Sequence, residues 1–208
     1  MEGPSAVGKT TLVAALARTA GAAVLPELDA RGAPPPAESA AWFVDAHAAQ
    51  WRRARALAER APLAVLDGDP FKGLWYGPTF ADAGWPGLDV VVPLHAAAVA
   101  SGALGFPDLY VALDATEARL RARRAGDATR TRRGFERHLR LVDPLRRWFA
   151  ALAAVAPERV LRVDTTDADP DALADAVLAR VAELPPEPPD APRLLARLLA
   201  RLLAQLRA

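Results

Sequence analysis

The segment GPSAVGKT, Gly3 to Thr10, constrains what this chain can fold into more than any other stretch. It satisfies the pattern G-x-x-x-x-G-K-[ST] without deviation. The glycines permit a turn whose backbone N–H groups converge on phosphate oxygens, and the helix that follows adds a favourable field. In that arrangement Gly3, Ser5, Ala6, Val7, Gly8, Lys9, Thr10 and Thr11 surround the phosphates. Lys9 reaches the β- and γ-phosphates and the Thr10 hydroxyl ligates Mg²⁺. The pattern therefore predicts ATP and Mg²⁺ as cofactors. Only Lys9 and Lys72 among the 26 basic residues are lysines, so chance seldom produces such a match.

A loop of this kind hangs from the end of a buried strand, yet only Met1 and Glu2 precede it. Strands usually run about five or six residues. The expectation is a truncated first strand, with either a start lying upstream or another segment covering the gap.

Downstream, apolar strand patterns alternate with helical ones. Thr10–Ala20 reads as the helix opened by the loop, and Ala22–Asp29 as a strand. A long helix is expected over Ser39–Ala61, then a strand over Pro62–Asp67. The glycine-, proline- and aromatic-rich stretch GDPFKGLWYGPTFADAGWPG reads as a loop at a strand's carboxyl end, where open α/β sheets place ligands. A helix follows over Leu94–Leu104, then strands over Asp108–Asp114 and Arg159–Thr166. Between those strands lies an arginine-dense helical stretch, Glu117–Ala154, broken near RAGDATRTRRG. A last helix runs Pro170–Glu183. The pattern predicts an α/β domain over residues 1–183, with a mostly parallel sheet and helices on both faces.

A proline-rich linker (184–192) leads to RLLARLLARLLAQLRA (193–208), whose paired leucines form one apolar stripe beside arginines. Such a basic amphipathic helix can lie on a membrane. Packing on its own domain, or on a second copy in a homodimer, is the expectation here.

Composition narrows the partners. With 26 basic and 25 acidic residues the formal net charge is +1, which gives no reason to expect nucleic acid or an anionic membrane as main partner. Absence of cysteine excludes disulfides and thiolate metal sites. No apolar run reaches the ~18 residues of a spanning helix, and the cytoplasm is the expected compartment.

No N-K-x-D stretch for guanine follows the loop, which disfavours a GTPase switch. Arg119, Arg121, Arg123, Arg124, Arg130, Arg132 and Arg133 crowd the stretch after the third strand. Arginines closing over a phosphoryl group in transfer stabilise its spreading charge and exclude water. Arg123, Arg130 and Arg132 are the candidates for that task.

The chain resembles the deoxynucleoside kinase and thymidylate kinase group of P-loop kinases. PDLYVALDATEARLRARR is similar to that group's passage from strand into lid, and RRGFERHLRLVDPLRRWFAAL to the helix after it. ERVLRVDTTDADPDALADAV resembles the last strand and adenine-side loop, and VLPELDA the V-P-E-P strand end. The resemblance implies a three-layer P-loop kinase fold with an arginine-rich lid. It also implies ATP- and Mg²⁺-dependent transfer to a nucleoside or nucleoside monophosphate. Glu27 is then the candidate general base and Asp67 the acid that holds Mg²⁺ or shares the role of base. Trp42, His47 and Gln50 fall on the substrate helix.

This chain departs from the group at DGDP, where the group carries an acid followed by arginine. Asp69 or Lys72 is left to substitute for that arginine on the acceptor side. The departure keeps open a kinase for a non-nucleoside alcohol, such as an antibiotic. A non-catalytic ATP-binding or regulatory protein is the alternative of a different class.

Overall fold

The computed structural model describes residues 1–127, 134–184, 196–197 and 199–204. Among these, residues 196–197 and 199–204 are helical, and eight further α-helices and four strands are distributed over residues 1–184. They are α1 (Lys9–Ala20), β1 (Ala23–Leu25), α2 (Ala40–Ala58), β2 (Ala64–Leu66), α3 (Gly73–Thr79), α4 (Leu88–Ala100), β3 (Tyr110–Asp114), α5 (Glu117–Gly126), α6 (Phe135–Leu139), α7 (Val142–Val155), β4 (Val160–Asp164) and α8 (Pro170–Ala182). Pairing is parallel throughout, as expected for an α/β chain. β1 runs beside β2 with Ala23 opposite Ala64, and β3 beside β4 with Tyr110 opposite Val160.

The two pairs are joined by Met1 and Glu2. Glu2 N–H donates to the Val111 carbonyl at 3.0 Å, and Leu113 N–H donates to the Glu2 carbonyl at 2.9 Å. On the other side the Met1 nitrogen donates to the Leu66 carbonyl at 2.8 Å, and Gly68 N–H to the Met1 carbonyl at 2.9 Å. Met1 and Glu2 thus stand between β2 and β3, and the sheet runs β1, β2, Met1–Glu2, β3, β4. The anticipated gap beside the loop is spanned by the two-residue lead itself.

Alternation along β3 feeds two cores. Tyr110 and Ala112 join a cluster built with α3, α4 and α7, including Phe71, Trp148 and Leu152. Val111 and Leu113 join another, built with α1 and α8 around Leu12, Leu16 and Val177. Successive strand side chains point to opposite faces, so helices cover the sheet on both sides.

Local chemistry explains the helix ends. Gly21 stops α1 in the left-handed region at φ 61°. Thr116 caps α5 by accepting from Arg119 N–H. Asp169 caps α8 by accepting from the backbone N–H groups of Asp171 and Ala172, with Pro170 at the first helical position.

The strands are shorter than expected, β1 most of all, at Ala23–Leu25 against Ala22–Asp29, and two helices depart from expectation. α3 replaces part of the anticipated loop, because burial of Leu74 and Trp75 outweighs the weak helix propensity of Gly73, Gly77 and Pro78. α4 starts at Leu88, six positions before the expected Leu94, and takes in the β-branched run Val90–Val92. In the last segment, Leu199 and Leu202 are buried in the cluster around Trp148. This portion packs on its own domain. Leu194, Leu195 and Leu198 lie outside the described residues. Among those described, no helix is long and apolar enough to cross a membrane.

Candidate functional site

Gly3–Thr10 leaves the sheet at the carboxyl end of the Met1–Glu2 segment, where the chain order reverses from one half of the sheet to the other. Open α/β sheets bind ligands at such a switch point. Gly3 is required by contact: a Cβ there would stand 2.6 Å from the Leu113 carbonyl oxygen. Gly8 is required by conformation, with φ 107° immediately before α1. Ala6 adopts φ 67°, a left-handed geometry uncommon for a residue with a side chain.

The loop lines a cleft of about 950 Å³. All eight loop residues singled out from sequence, from Gly3 to Thr11, border it, together with Glu27, Asp67, Lys72 and Arg123. Glu27 follows β1, and Asp67 follows β2 with its N–H bonded to the Leu25 carbonyl at 2.9 Å. The paired strands therefore deliver both acids to one rim.

Beside the cleft lies a second pocket of about 380 Å³, lined by aromatic and aliphatic side chains including Phe43, Trp85 and Val91. Glu27, Asp67, Lys72, Tyr76 and His138 border both spaces. His47 lines the apolar pocket, and burial foremost lowers its pKa to about 4, so the imidazole is neutral at physiological pH. Trp42 and Gln50 line neither space. Trp42 packs edge-on against Phe43, and the Gln50 amide donates to the Pro26 carbonyl at 3.0 Å.

Asp69 also stands apart from both spaces. It is fully buried and accepts from Phe71 N–H at 2.9 Å, Trp75 Nε1 at 2.9 Å and the Tyr110 hydroxyl at 3.0 Å. Its acceptor capacity is spent on the fold. Burial raises its pKa to about 6, against the lowering effect of those bonds.

Electrostatics in the cleft centre on Glu2, which no sequence pattern singled out. Its carboxylate is buried and accepts from Gly3 N–H at 2.8 Å and Asp69 N–H at 3.2 Å. The two lysines of the chain meet there, with Lys9 Nζ 3.8 Å from Oε1 and Lys72 Nζ 3.9 Å from Oε2. Lys9 also donates to the Gly3 carbonyl at 2.6 Å, and Lys72 to Glu27 at 2.7 Å. For Glu27, burial pushes the carboxyl upward but the Lys72 ammonium outweighs it, and the pKa is lowered. Burial raises that of Asp67, offset in part by Lys9.

Arg123 on α5 half-buries its guanidinium between the loop and the segment after β4. It donates to the Val7 carbonyl at 3.1 Å, to the Thr165 hydroxyl at 3.1 Å and to the Thr165 carbonyl at 2.5 Å. It braces the loop's backbone rather than projecting freely over the cleft. Arg121 is engaged by Glu117 and Glu136, and Arg119 by the Thr166 carbonyl. Arg130, Arg132 and Arg133 fall outside the described residues.

Among the described residues, two buried polar atoms at the site have no partner among the protein's own groups: Asp67 Oδ1, at the boundary of the two spaces, and His95 Nε2, in the wall of the apolar pocket. Oxygen donors at Asp67 and Thr10 suit a hard cation such as Mg²⁺, which binds through few protein oxygens plus phosphates. Among the described residues there is no cluster of three or more acidic, histidine or cysteine ligands that would hold a metal by itself. No protein-family model matches the chain, and no curated protein matches it in sequence.

Proposed function

We propose that the chain is an ATP- and Mg²⁺-dependent small-molecule kinase of P-loop type, acting in the cytoplasm on a nucleoside or nucleoside monophosphate. The observation that carries this reading is the placement of the Gly3–Thr10 loop. Its cleft opens onto a separate apolar pocket, and two acids, Glu27 and Asp67, stand at the boundary. A nucleotide bound through the loop amides and Lys9 would direct its terminal phosphate toward that boundary, and an acceptor would fill the apolar pocket.

In the proposed step on a nucleoside or other alcohol, the acceptor hydroxyl oxygen bonds to the γ-phosphorus; on a monophosphate an ionised phosphate oxygen takes its place and no proton is passed on. The bond to the β–γ bridging oxygen breaks, and its electron pair departs with ADP. The hydroxyl proton passes to Glu27, which its lowered pKa keeps ionised. Thr10 and Asp67 would hold Mg²⁺, which when bound neutralises charge on the β- and γ-phosphates. Arg123 maintains the loop, and the apolar walls limit water at the transferring group. The spatial order of strands, with the loop's lead in the centre, fits a three-layer P-loop kinase fold.

A second acceptor class is favoured by one observation. The segment after β2 offers no arginine, and among the described residues the acceptor pocket is mostly apolar. A non-nucleoside alcohol satisfies such a pocket as well as a nucleoside does.

Both readings are tested by incubating the purified chain with ATP, Mg²⁺ and a panel of nucleosides, nucleoside monophosphates and antibiotic alcohols. ADP must form in step with one phosphorylated acceptor, and Lys9→Met must abolish the reaction. ADP release independent of any acceptor, or none at all, rejects the kinase assignment.

A further inference from the structure

Apart from Lys9 and Lys72, every basic residue of the chain is arginine. Arginine is thus the usual cation in this chain, and a lysine places a compact ammonium where arginine would place a planar guanidinium. Lys9 belongs to the loop motif. Lys72 comes from a different segment, yet it meets the opposite oxygen of the same buried carboxylate, Glu2. Glu2 is fixed in turn by two backbone N–H groups, one from the loop and one from Asp69. The ammonium groups of Lys9 and Lys72 are therefore set at a defined spacing on one rigid anchor.

The position of Lys72 is equally specific. It borders both the loop's cleft and the apolar pocket, so it stands where a group crossing between them must pass. Its backbone is fixed by donation to the Asp69 carbonyl at 3.0 Å, just before α3. Its side chain retains 24% exposure, while that of Glu2 retains 3%. Lys72 thus keeps part of its side chain accessible where the two spaces adjoin.

We propose that Lys72 is a second catalytic lysine, whose ammonium binds the oxygens of the γ-phosphoryl group during transfer, across from Lys9. The assignment rests on the kinase reading for the presence of that group. Negative charge spread over the equatorial oxygens is stabilised by fixed cations on more than one side. Lys72 supplies the acceptor-side cation that DGDP omits. Its shift toward the phosphoryl oxygens also releases Glu27, to which it donates at 2.7 Å. The freed carboxylate then takes the acceptor proton as the new oxygen–phosphorus bond forms.

A chain with two lysines gives a direct readout. Lysine-selective ¹³C/¹⁵N labelling yields two side-chain ammonium signals, assigned with Lys9→Arg and Lys72→Arg. The probes are Mg²⁺ with ADP, and Mg²⁺ with the non-hydrolysable ATP analogue adenylyl imidodiphosphate. The expected result is that ADP moves the Lys9 signal alone, whereas the triphosphate analogue moves both. In parallel, Lys72→Met combined with Glu27→Gln removes the ion pair without changing net charge. This variant is expected to weaken the analogue roughly ten- to a hundredfold, the range for a hydrogen bond to a charged group, and to leave ADP affinity unchanged.

A Lys72 signal that ignores the analogue, or that moves equally with ADP, overturns the assignment and leaves the kinase reading standing. Equal loss of ADP and analogue binding in the double variant overturns it too, by showing a merely structural role. Failure of both nucleotides to move the Lys9 signal rejects the kinase reading itself.

Discussion

Arg123 donates to the carbonyl of Val7 at 3.1 Å, tying the first helix of the arginine-dense stretch to the backbone of the Gly3–Thr10 loop. Thr165 completes the link, since its hydroxyl donates to the same carbonyl at 2.8 Å. Two elements far apart in sequence hold one peptide unit of the loop.

From that link follows a first prediction. Arg123→Met is expected to weaken nucleotide binding by roughly three- to tenfold, the value of one or two hydrogen bonds. Thr165→Val is expected to act in the same direction, because it leaves the Val7 carbonyl with one partner fewer. Titration calorimetry with Mg²⁺ and ADP measures both. Unchanged affinity in both variants would show that the loop needs no bracing from this side.

Gly3→Ala tests the close approach beneath the loop. The added methyl group would lie 2.6 Å from the Leu113 oxygen, against strand backbone that cannot yield cheaply. A loss of about 1–3 kcal/mol in stability is expected, as for other overpacked sites. Urea denaturation followed by circular dichroism reads it directly.

The pH dependence of stability should display two opposed terms. Asp69 has its pKa raised from 3.8 to about 6, so the fold favours its neutral form; this contribution is full below pH 3.8 and is lost as pH rises through 6. His47 is lowered from 6.5 to about 4, so its contribution is full above pH 6.5 and is lost as pH falls through 4. Each is worth on the order of 2 to 3 kcal/mol. Between about pH 4 and 6 they offset each other. Asp69→Asn should make stability rise with pH across this window, and His47→Phe should make it fall. Denaturant midpoints at half-unit pH steps would check the signs.

Leu199 and Leu202 are covered by the main core, with Leu202 fully buried. Leu202→Ala is therefore expected to cost roughly 2–5 kcal/mol, as in other large-to-small core substitutions. Arg201 is an exposed neighbour, and Arg201→Gln should be nearly neutral. Equal effects of the two changes would remove the helix from the core.

Much of this architecture was legible in the chain because its signals are local. The glycine–lysine loop, the breaker-free α1 and the alternation of strand and helix patterns each reside in one contiguous stretch. α3 was hidden because Gly73, Gly77 and Pro78 are poor helix formers, and its stability comes from partners distant in sequence. Glu2 was hidden for a different reason. An acid beside a glycine carries no pattern, and its importance arises only when Lys9, Lys72 and Asp69 converge on it. Gln50 and Asp69 show the reverse case: both are polar groups with a plausible substrate role that the fold occupies with its own hydrogen bonds. The apolar pocket, with Phe43, Trp85 and Val91 drawn from separate elements, likewise exists only after folding.

The Met1–Glu2 segment has a mechanical consequence. Among the described residues, no backbone hydrogen bond passes directly between β2 and β3; the two halves of the sheet are joined through four main-chain bonds to this dipeptide, supplemented by the side-chain links from Glu2 and Tyr110 to Asp69. The same dipeptide carries the loop. A ligand that immobilises the loop should therefore also clamp the seam between the halves, slowing amide exchange at Gly68 on one side and Leu113 on the other, though neither amide would touch it.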